Sequence, residues 1–290
     1  MLGISHTEYL NYMAGYSELS QFKGEKPKDW LPDGLDEKDY LKEDKEWPGL
    51  EKRLGNPRIL KHIYWPEVLA WIQKEFKDNP DDFSYFEAGC GHGNDLRAIR
   101  KELEERGHFL GVDMSTAEIM RGMEFRREQE DTKESKKLFA QGDLRDLKHI
   151  NIWDEVKENF SKPAEIKDGE FDVVYTEAVL HGLGYGKNTY KEKKESAQQF
   201  LNELYRVCKV EGKLFGRANV FDQIITKEQQ FELMRRINDW RFIPEAKELE
   251  EMLKQAGFKN IKITLEIRED KEKDDLRRKN NLRFSFLGEK

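Results

Sequence analysis

Cysteine is nearly missing from this chain. Two of them, Cys90 and Cys208, in 290 residues are too few for a disulfide framework or a zinc cluster. No run of eighteen apolar residues occurs, so no membrane-spanning helix is read. The opening MLGISHTEYL has no basic stretch leading into an apolar core, which predicts no secretory signal; together these features predict a cytoplasmic protein. A surplus of positive charge is also absent. The 51 Lys and Arg stand against 58 Asp and Glu, a net −7, which argues against a broad nucleic-acid surface. The short basic run Arg277-Arg278-Lys279 reads as a solvated turn. The six histidines are scattered without ligand-spaced carboxylates, so no metal site is expected. No internal repeat or low-complexity segment is present.

What is abundant is charge and, near the N-terminus, aromatic side chains. Charged residues make up 38% of the chain, in keeping with a densely ionic surface. Residues 1–65 carry loop signals (Pro27, Pro32-Asp33-Gly34, Pro48-Gly49, Asn56-Pro57) between many aromatics, a composition unlike a disordered tail. Tyr9, Tyr12 and Tyr16 share one face of a possible helix. That face would suit a lid over a ligand, and equally an ordinary packed helix. Residues 1–65 are therefore read as a helical, aromatic-rich extension capping a domain at 66–290.

From Pro66 the pattern is regular. Val68, Leu69, Ile72 and Phe76 recur at helical spacing, and FSYFEAG reads as a strand. A helix through Leu96, Ile99 and Leu103 is predicted to run to Gly107. HFLGVD is a second strand, and Ser115 with Glu118 forms a capping-box pattern opening the next helix. KLFAQGD and FDVVYTEAV are the third and fourth strands. A helix over Phe200, Leu204 and Val207 leads through a Glu211-Gly212 turn into KLFGRANV, the fifth. PEAKELEEMLKQAGF is a helix with Gly257 just past its end, and IKITLEI and LRFSFL close the chain as an antiparallel pair. Alternation of this kind implies βαβ units, a mostly parallel sheet covered on both faces, and a ligand at the carboxyl ends of the strands.

One such end carries EAGCGHG, with Gly89, Gly91 and Gly93 at alternate positions. Glycines there permit a tight strand-to-helix turn and close approach of backbone N–H groups to a ligand. A dinucleotide fingerprint would need glycine at position 94, where Asn94 stands. A phosphate loop would need Gly-Lys-Ser/Thr, which is absent. Glu87, two residues before Gly89, would repel a diphosphate and welcome a cation. Asp113 at the second strand's end can accept both hydroxyls of a ribose. Asp143 at the third strand's end can accept from an exocyclic amino group. Three converging carboxylates suit a ligand with ribose, adenine and positive charge, although each could serve singly as a helix cap or turn residue.

With these residues in view, the sequence resembles the class I S-adenosylmethionine-dependent methyltransferases over residues 66–290. The resemblance rests on EAGCGHG (87–93), GVDMS (111–115), QGDLRDL (141–147), FDVVYTEAVLHGL (171–183) and LNELYRVCKVEGKLFG (201–216). It implies an α/β fold with a doubly wound, mostly parallel seven-stranded sheet whose last strand is antiparallel. It also implies S-adenosylmethionine as cofactor and S-adenosylhomocysteine as product. Glu87 and the backbone of Gly89, Cys90, Gly91 and Gly93 would hold the methionine part. Asp113 would take the ribose hydroxyls, Met114 would lie against the adenine, and Asp143 and Leu144 would frame its edge. Thr176, Glu177 and Ala178 would face the methionine and the reacting methyl group.

The segment after the fourth strand lacks Asn/Asp-Pro-Pro-Tyr/Phe, the signature of members that act on amide or adenine nitrogens, and TEAVLHGL looks more like members that methylate small molecules. Methyl transfer from a sulfonium needs alignment and exclusion of water; a base is required only if the acceptor must first lose a proton. His181 and Glu177 are the candidates, His181 alternatively positioning its helix or the cofactor, and Glu177 binding a cationic acceptor or satisfying backbone donors. Tyr12 and Tyr16 are weaker candidates as lid residues. His92 and Cys90 read as loop residues. Two charged insertions, Gly122–Lys137 and Gly184–Glu195, stand out; the second reads as a solvated loop or as a substrate lid. The expected partner is a small-molecule acceptor. An RNA methyltransferase of the cap-guanine type, faintly suggested by GCGHGNDL, and a catalytically silent cofactor-binding protein are the alternatives. A nicotinamide dehydrogenase is disfavoured by Asn94.

Overall fold

The structure, a computed structural model, describes residues 57–126, 137–177, 179–184, 189–219, 244–268 and 281–290. Tyr12, Tyr16 and Ala178 lie outside the described residues, as do the extension up to residue 56 and residues 127–136 and 185–188 of the two charged insertions.

The chain enters through a 3-10 turn, Ile59–Lys61, and helix α1, Trp65–Glu75. Strand β1 is Ser84–Ala88, followed by α2 (Asn94–Glu102), β2 (His108–Asp113), α3 (Thr116–Arg126) and β3 (Phe139–Gly142). An antiparallel hairpin, β4 (Ile150–Asp154) and β5 (Asn159–Ala164), comes next. Then follow β6 (Phe171–Glu177), a 3-10 turn Leu180–Gly184, α4 (Tyr190–Val207) and β7 (Cys208–Asn219). Helix α5 (Ala246–Ala256), β8 (Lys259–Arg268) and β9 (Asn281–Glu289) complete the described chain.

Among the described residues the sheet has nine strands in the order β5-β4-β3-β2-β1-β6-β7-β9-β8. The inner five, β3, β2, β1, β6 and β7, pair in parallel. The last strand, β9, inserts antiparallel between β7 and β8. The seven expected strands are thus present, and the β4–β5 hairpin adds two beyond β3. Strand order reverses between β1 and β6, and in open α/β sheets that is where the crevice for a ligand opens.

Side-chain alternation divides the sheet between two cores. Phe86, Ala88, Val174 and Leu214 pack toward α4 and α5, against Phe200, Leu204, Leu249 and Leu253. Tyr85, Val173, Tyr175 and Phe215 face α1 and α2, against Trp65, Val68, Ile72, Leu96 and Ile99. Each face is covered, as parallel strands require.

Three local expectations change. Helix α2 stops at Glu102 rather than near Gly107, because Glu104 and Glu105 turn left-handed at φ 55° and 62°. The Glu211-Gly212 turn lies inside β7, as a bulge where Glu211 adopts φ 66° and the register against β6 shifts. The insertion Gly184–Glu195 is helical from Tyr190 onward rather than a loop. Thr189 and Glu192 form a reciprocal capping box that begins α4 there, the Thr189 hydroxyl accepting from Glu192 N at 3.2 Å and the Glu192 carboxylate from Thr189 N at 2.9 Å.

Candidate functional site

The crevice between β1 and β6 opens on the loop Gly89–Gly93. Gly91 and Gly93 adopt φ 49° and 69°, a region in which side chains with a Cβ are strained. Their surroundings differ. A Cβ on Gly93 would lie 2.4 Å from the Phe139 ring, whereas one on Gly91 would meet nothing within 4 Å. Gly93 therefore packs the loop onto β3, while Gly91 presents bare backbone to open space. Val179 and Leu144 close over Gly89 from the other side. Cys90 is buried against Gly111 and Leu96, and burial pushes its thiol well above its ordinary range. It fits the loop as a small side chain.

The loop is braced from behind by α2 and α3. Buried Arg97 donates to the carbonyl of His92 at 2.6 Å and lies over the Phe139 ring. Helix α3 meets the loop at Gly122, where a Cβ would sit 2.1 Å from His92 O. His92 Nε2 also pairs with Glu118 at 2.8 Å, while Glu118 N donates to Ser115 Oγ, its helix cap, at 3.2 Å.

The carboxylates take distinct positions. Asp113 accepts from Gly91 N at 2.8 Å on one oxygen and from Ser115 N at 2.9 Å on the other. Each oxygen keeps a second lone pair. Burial raises its pKa, and these two N–H donors hold the rise down. Asp143 is committed differently: Arg145 grips it with Nε at 2.9 Å, Nη2 at 2.6 Å and its backbone N at 2.9 Å. Leu144, next to it, is buried toward Gly89. Met114 accepts from Gln141 Nε2 at 3.3 Å through its carbonyl. Glu87 is 4% exposed, and its Oε2 has no hydrogen-bond partner. Burial first, then the charges of Asp95 and Glu177, raise its pKa well above the carboxylate range.

Past the end of β6 the pattern continues. Thr176 is buried with Oγ1 unpartnered. Glu177 accepts from the Tyr175 hydroxyl, from Arg217 Nη1 at 3.3 Å and from Arg58 Nη1 at 3.4 Å. His181 lies in the backbone turn Leu180–Gly184 directly beyond. Arg58 belongs to a strap, residues 58–64, that is tied to the start of α2, the end of β6 and β7. Asp95, in the first turn of α2, accepts from Arg58 N at 2.5 Å and Ile59 N at 2.9 Å, and burial raises its pKa to about 6. His62 is buried on the strap, hydrogen-bonded through Nε2 to Gly216 O at 2.9 Å. Its Nδ1 accepts from Tyr64 N, so the ring is the neutral Nε2–H tautomer, and burial lowers its pKa to about 4. The acid in the first turn of α2 was a legible signal for Asp95; nothing local marked Arg58, His62 or Arg217.

Among the described residues no group of three or more His, Cys, Asp and Glu could hold a metal ion, and no helix is long and apolar enough to cross a membrane.

A family model described as "Methyltransferase domain" matches residues 80–261, which include the glycine loop, Asp113, Asp143 and Glu177. No curated protein sequence matches the chain. Solved structures resemble it weakly. Phosphoethanolamine N-methyltransferase 2 of Haemonchus contortus in complex with S-adenosyl-L-methionine is 17% identical, with a TM-score of 0.48, covering 78% of this chain and 52% of that one. This chain thus spans about half the length of the Haemonchus protein. A complex between the Haloferax volcanii Trm112 methyltransferase activator and a methyltransferase is matched at 18% identity and TM-score 0.48, over 88% of this chain and 94% of that one. A SAM-dependent methyltransferase of Methanosarcina mazei is 15% identical at TM-score 0.49, over 72% and 93%. At these scores none of the likenesses transfers an acceptor or a partner to this chain.

Proposed function

Since the chain belongs to the methyltransferase-domain family, we propose that it moves the methyl group of S-adenosylmethionine to a nucleophilic N, O, S or C atom of a small-molecule acceptor. The observation that carries this reading is the unpartnered Oε2 of Glu87, buried beside a glycine loop whose Gly91 faces open space. A buried carboxylate oxygen without a donor is costly, and an ammonium group completes it. Bound S-adenosylmethionine supplies that ammonium together with an electrophilic methyl group on a positively charged sulfur.

The residues present fit such a group. Glu87 and the Gly89–Gly93 backbone, Cys90 included, hold the methionine part. Asp113 accepts the ribose hydroxyls on the lone pairs that Gly91 N and Ser115 N leave open. Met114 lies against the adenine, and Leu144 frames its edge on a turn that Asp143 and Arg145 fix. Thr176 and Glu177, at the end of β6, face the reacting centre. Glu177, already accepting from Tyr175, Arg217 and Arg58, orients the acceptor. His181 takes a proton where the acceptor must lose one. A small-molecule acceptor agrees with the net charge of −7.

Calorimetric titration with S-adenosylmethionine, S-adenosylhomocysteine and NADH tests the reading, on the wild type and on Asp113→Ala. Binding of both sulfur ligands that weakens at least tenfold in Asp113→Ala, with none of NADH, is expected. Folded protein that binds neither sulfur ligand would overturn it. Salt-dependent binding of capped RNA would move the acceptor class to RNA, and cofactor binding without turnover across broad acceptors would make the protein a silent binder.

A further inference from the structure

One guanidinium joins more of the crevice than any residue named so far. Arg217 on β7 is 2% exposed, and its donors go to three separate elements. Nη1 reaches Glu177 Oε2 at the end of β6, 3.3 Å away, and the carbonyl of Arg58 at 3.2 Å. Nη2 reaches the carbonyl of Lys61 at 2.8 Å. Nε lies 3.2 Å and 3.4 Å from the two oxygens of Glu266 on β8, and Ser285 on β9 donates to that same carboxylate.

A buried ion pair need not add stability, since desolvation offsets most of its attraction. Charge balance for one glutamate would be met by any cation. Here the planar fork is used in a way a point charge is not. Two of its nitrogens fasten strap carbonyls at both ends of the Ile59–Lys61 turn, while Asp95 holds the N–H groups of Arg58 and Ile59 at the start of that turn. The strap then returns its own guanidinium, that of Arg58, to Glu177. The loop of contacts is closed: Arg217 to strap, strap to Glu177, Glu177 to Arg217.

We propose that Arg217 is a positioning residue that couples closure of the Arg58–Tyr64 strap to the alignment of the Glu177 carboxylate. Opening the strap removes Arg58 from Glu177 and frees Arg217 from two carbonyls, so the carboxylate keeps Tyr175 but loses one donor and the fixed position of another. Turning Glu177 away undoes one of the strap's side-chain anchors, that of Arg58, in the same way. The role given to Glu177 here rests on the function proposed above; the coupling itself does not.

The test uses the full chain and three variants, Arg217→Lys, Arg217→Met and Glu177→Gln. Amide hydrogen exchange at Arg58 and Ile59 is compared with that at Tyr85 and Val173 in the core. Arg217→Lys keeps the charge but cannot span both carbonyls and both glutamates. It is expected to speed strap exchange at least tenfold while core exchange stays within threefold of wild type. Glu177→Gln is expected to speed the same strap amides, because Glu177 holds the strap through the Arg58 guanidinium. Arg217→Met should exceed both; if it fails to fold, the other two variants decide. Strap exchange unchanged in Arg217→Lys and Glu177→Gln, or raised only in step with the core, would overturn the coupling and leave Arg217 a structural ion pair. S-adenosylhomocysteine titrated into the wild type reads separately: its failure to bind would sink the methyltransferase reading and leave the exchange result standing.

Discussion

At the scale of single residues, the glycine loop separates two effects that one substitution usually mixes. Gly93→Ala forces a Cβ both into a left-handed backbone and to within 2.4 Å of the Phe139 ring. Strain of about 1–2 kcal/mol and overpacking of about 1–3 kcal/mol then add. Gly91→Ala meets only the strain, because its Cβ enters open space. Urea unfolding should therefore place Gly93→Ala well below Gly91→Ala in stability, while calorimetry shows Gly91→Ala losing S-adenosylhomocysteine affinity out of proportion to its stability. Equal destabilisation would mean the loop does not rest on Phe139. The strap carries a second pair of opposed residues. Asp95 has its folded pKa raised to about 6, so the native state binds more protons than the unfolded chain between about 4 and 6, and acidification across that window stabilises. His62, lowered to about 4, does the reverse: its contribution, full above its unfolded value of 6.5, is lost as the pH falls through about 4. The two effects oppose each other over almost the same range. Asp95→Asn removes one side of the balance and should make the protein more acid-labile between pH 6.5 and 4 than wild type. Unfolding midpoints measured across that range check it, and parallel curves would refute the assignment.

Among elements, helix α3 is the clearest case of a helix placed by a missing side chain. Gly122 stands in the middle of a helix, where glycine is unfavourable, and the reason is the His92 carbonyl, which a Cβ would approach to 2.1 Å. Gly122→Ala should improve the isolated helix and yet unseat it from the glycine loop. The expected result is lower stability together with weaker S-adenosylhomocysteine binding, seen by thermal unfolding and calorimetry; a more stable variant with unchanged affinity would show that α3 does not set the loop. The sequence signals for elements were good where periodicity was long. Leu249, Met252 and Leu253 with Gly257 at φ 115° ended α5 as read, and the alternating runs at the C-terminus became β8 and β9. They failed where local chemistry was mixed. INIWD and NFSKPA carry too few apolar alternations, and a proline, so the β4–β5 hairpin went unread; its partners are supplied by β3, not by its own pattern. Thr189-Tyr190-Lys191-Glu192 was a legible capping box, hidden by the surrounding charge.

Over the whole molecule, the glycine-loop side of the crevice was legible because glycines and carboxylates at strand ends carry their chemistry in local sequence. Glu87, the glycine loop and Asp113 come together as the spacing implied. The strap side was not legible. Arg58, His62, Asp95 and Arg217 meet across sequence separations as long as 159 residues, and no single stretch announces such a meeting. The same assembly sets the charge of the site. Glu87, Asp95 and Glu177 crowd one buried region, and the two neighbours' negative charge adds to burial in holding the Glu87 proton on. Placing a cation against Glu87 favours its ionised form, so binding a ligand with an ammonium group there must expel a proton whenever Glu87 is protonated beforehand. S-adenosylhomocysteine titrated in buffers of different ionisation heat should release protons on binding, more at lower pH than at higher pH. Glu87→Gln should bind at least tenfold more weakly and release correspondingly fewer. Binding that is tight and proton-neutral in the wild type, at every pH tried, would mean that the ammonium group goes elsewhere and that the unpartnered oxygen of Glu87 answers to something other than the cofactor.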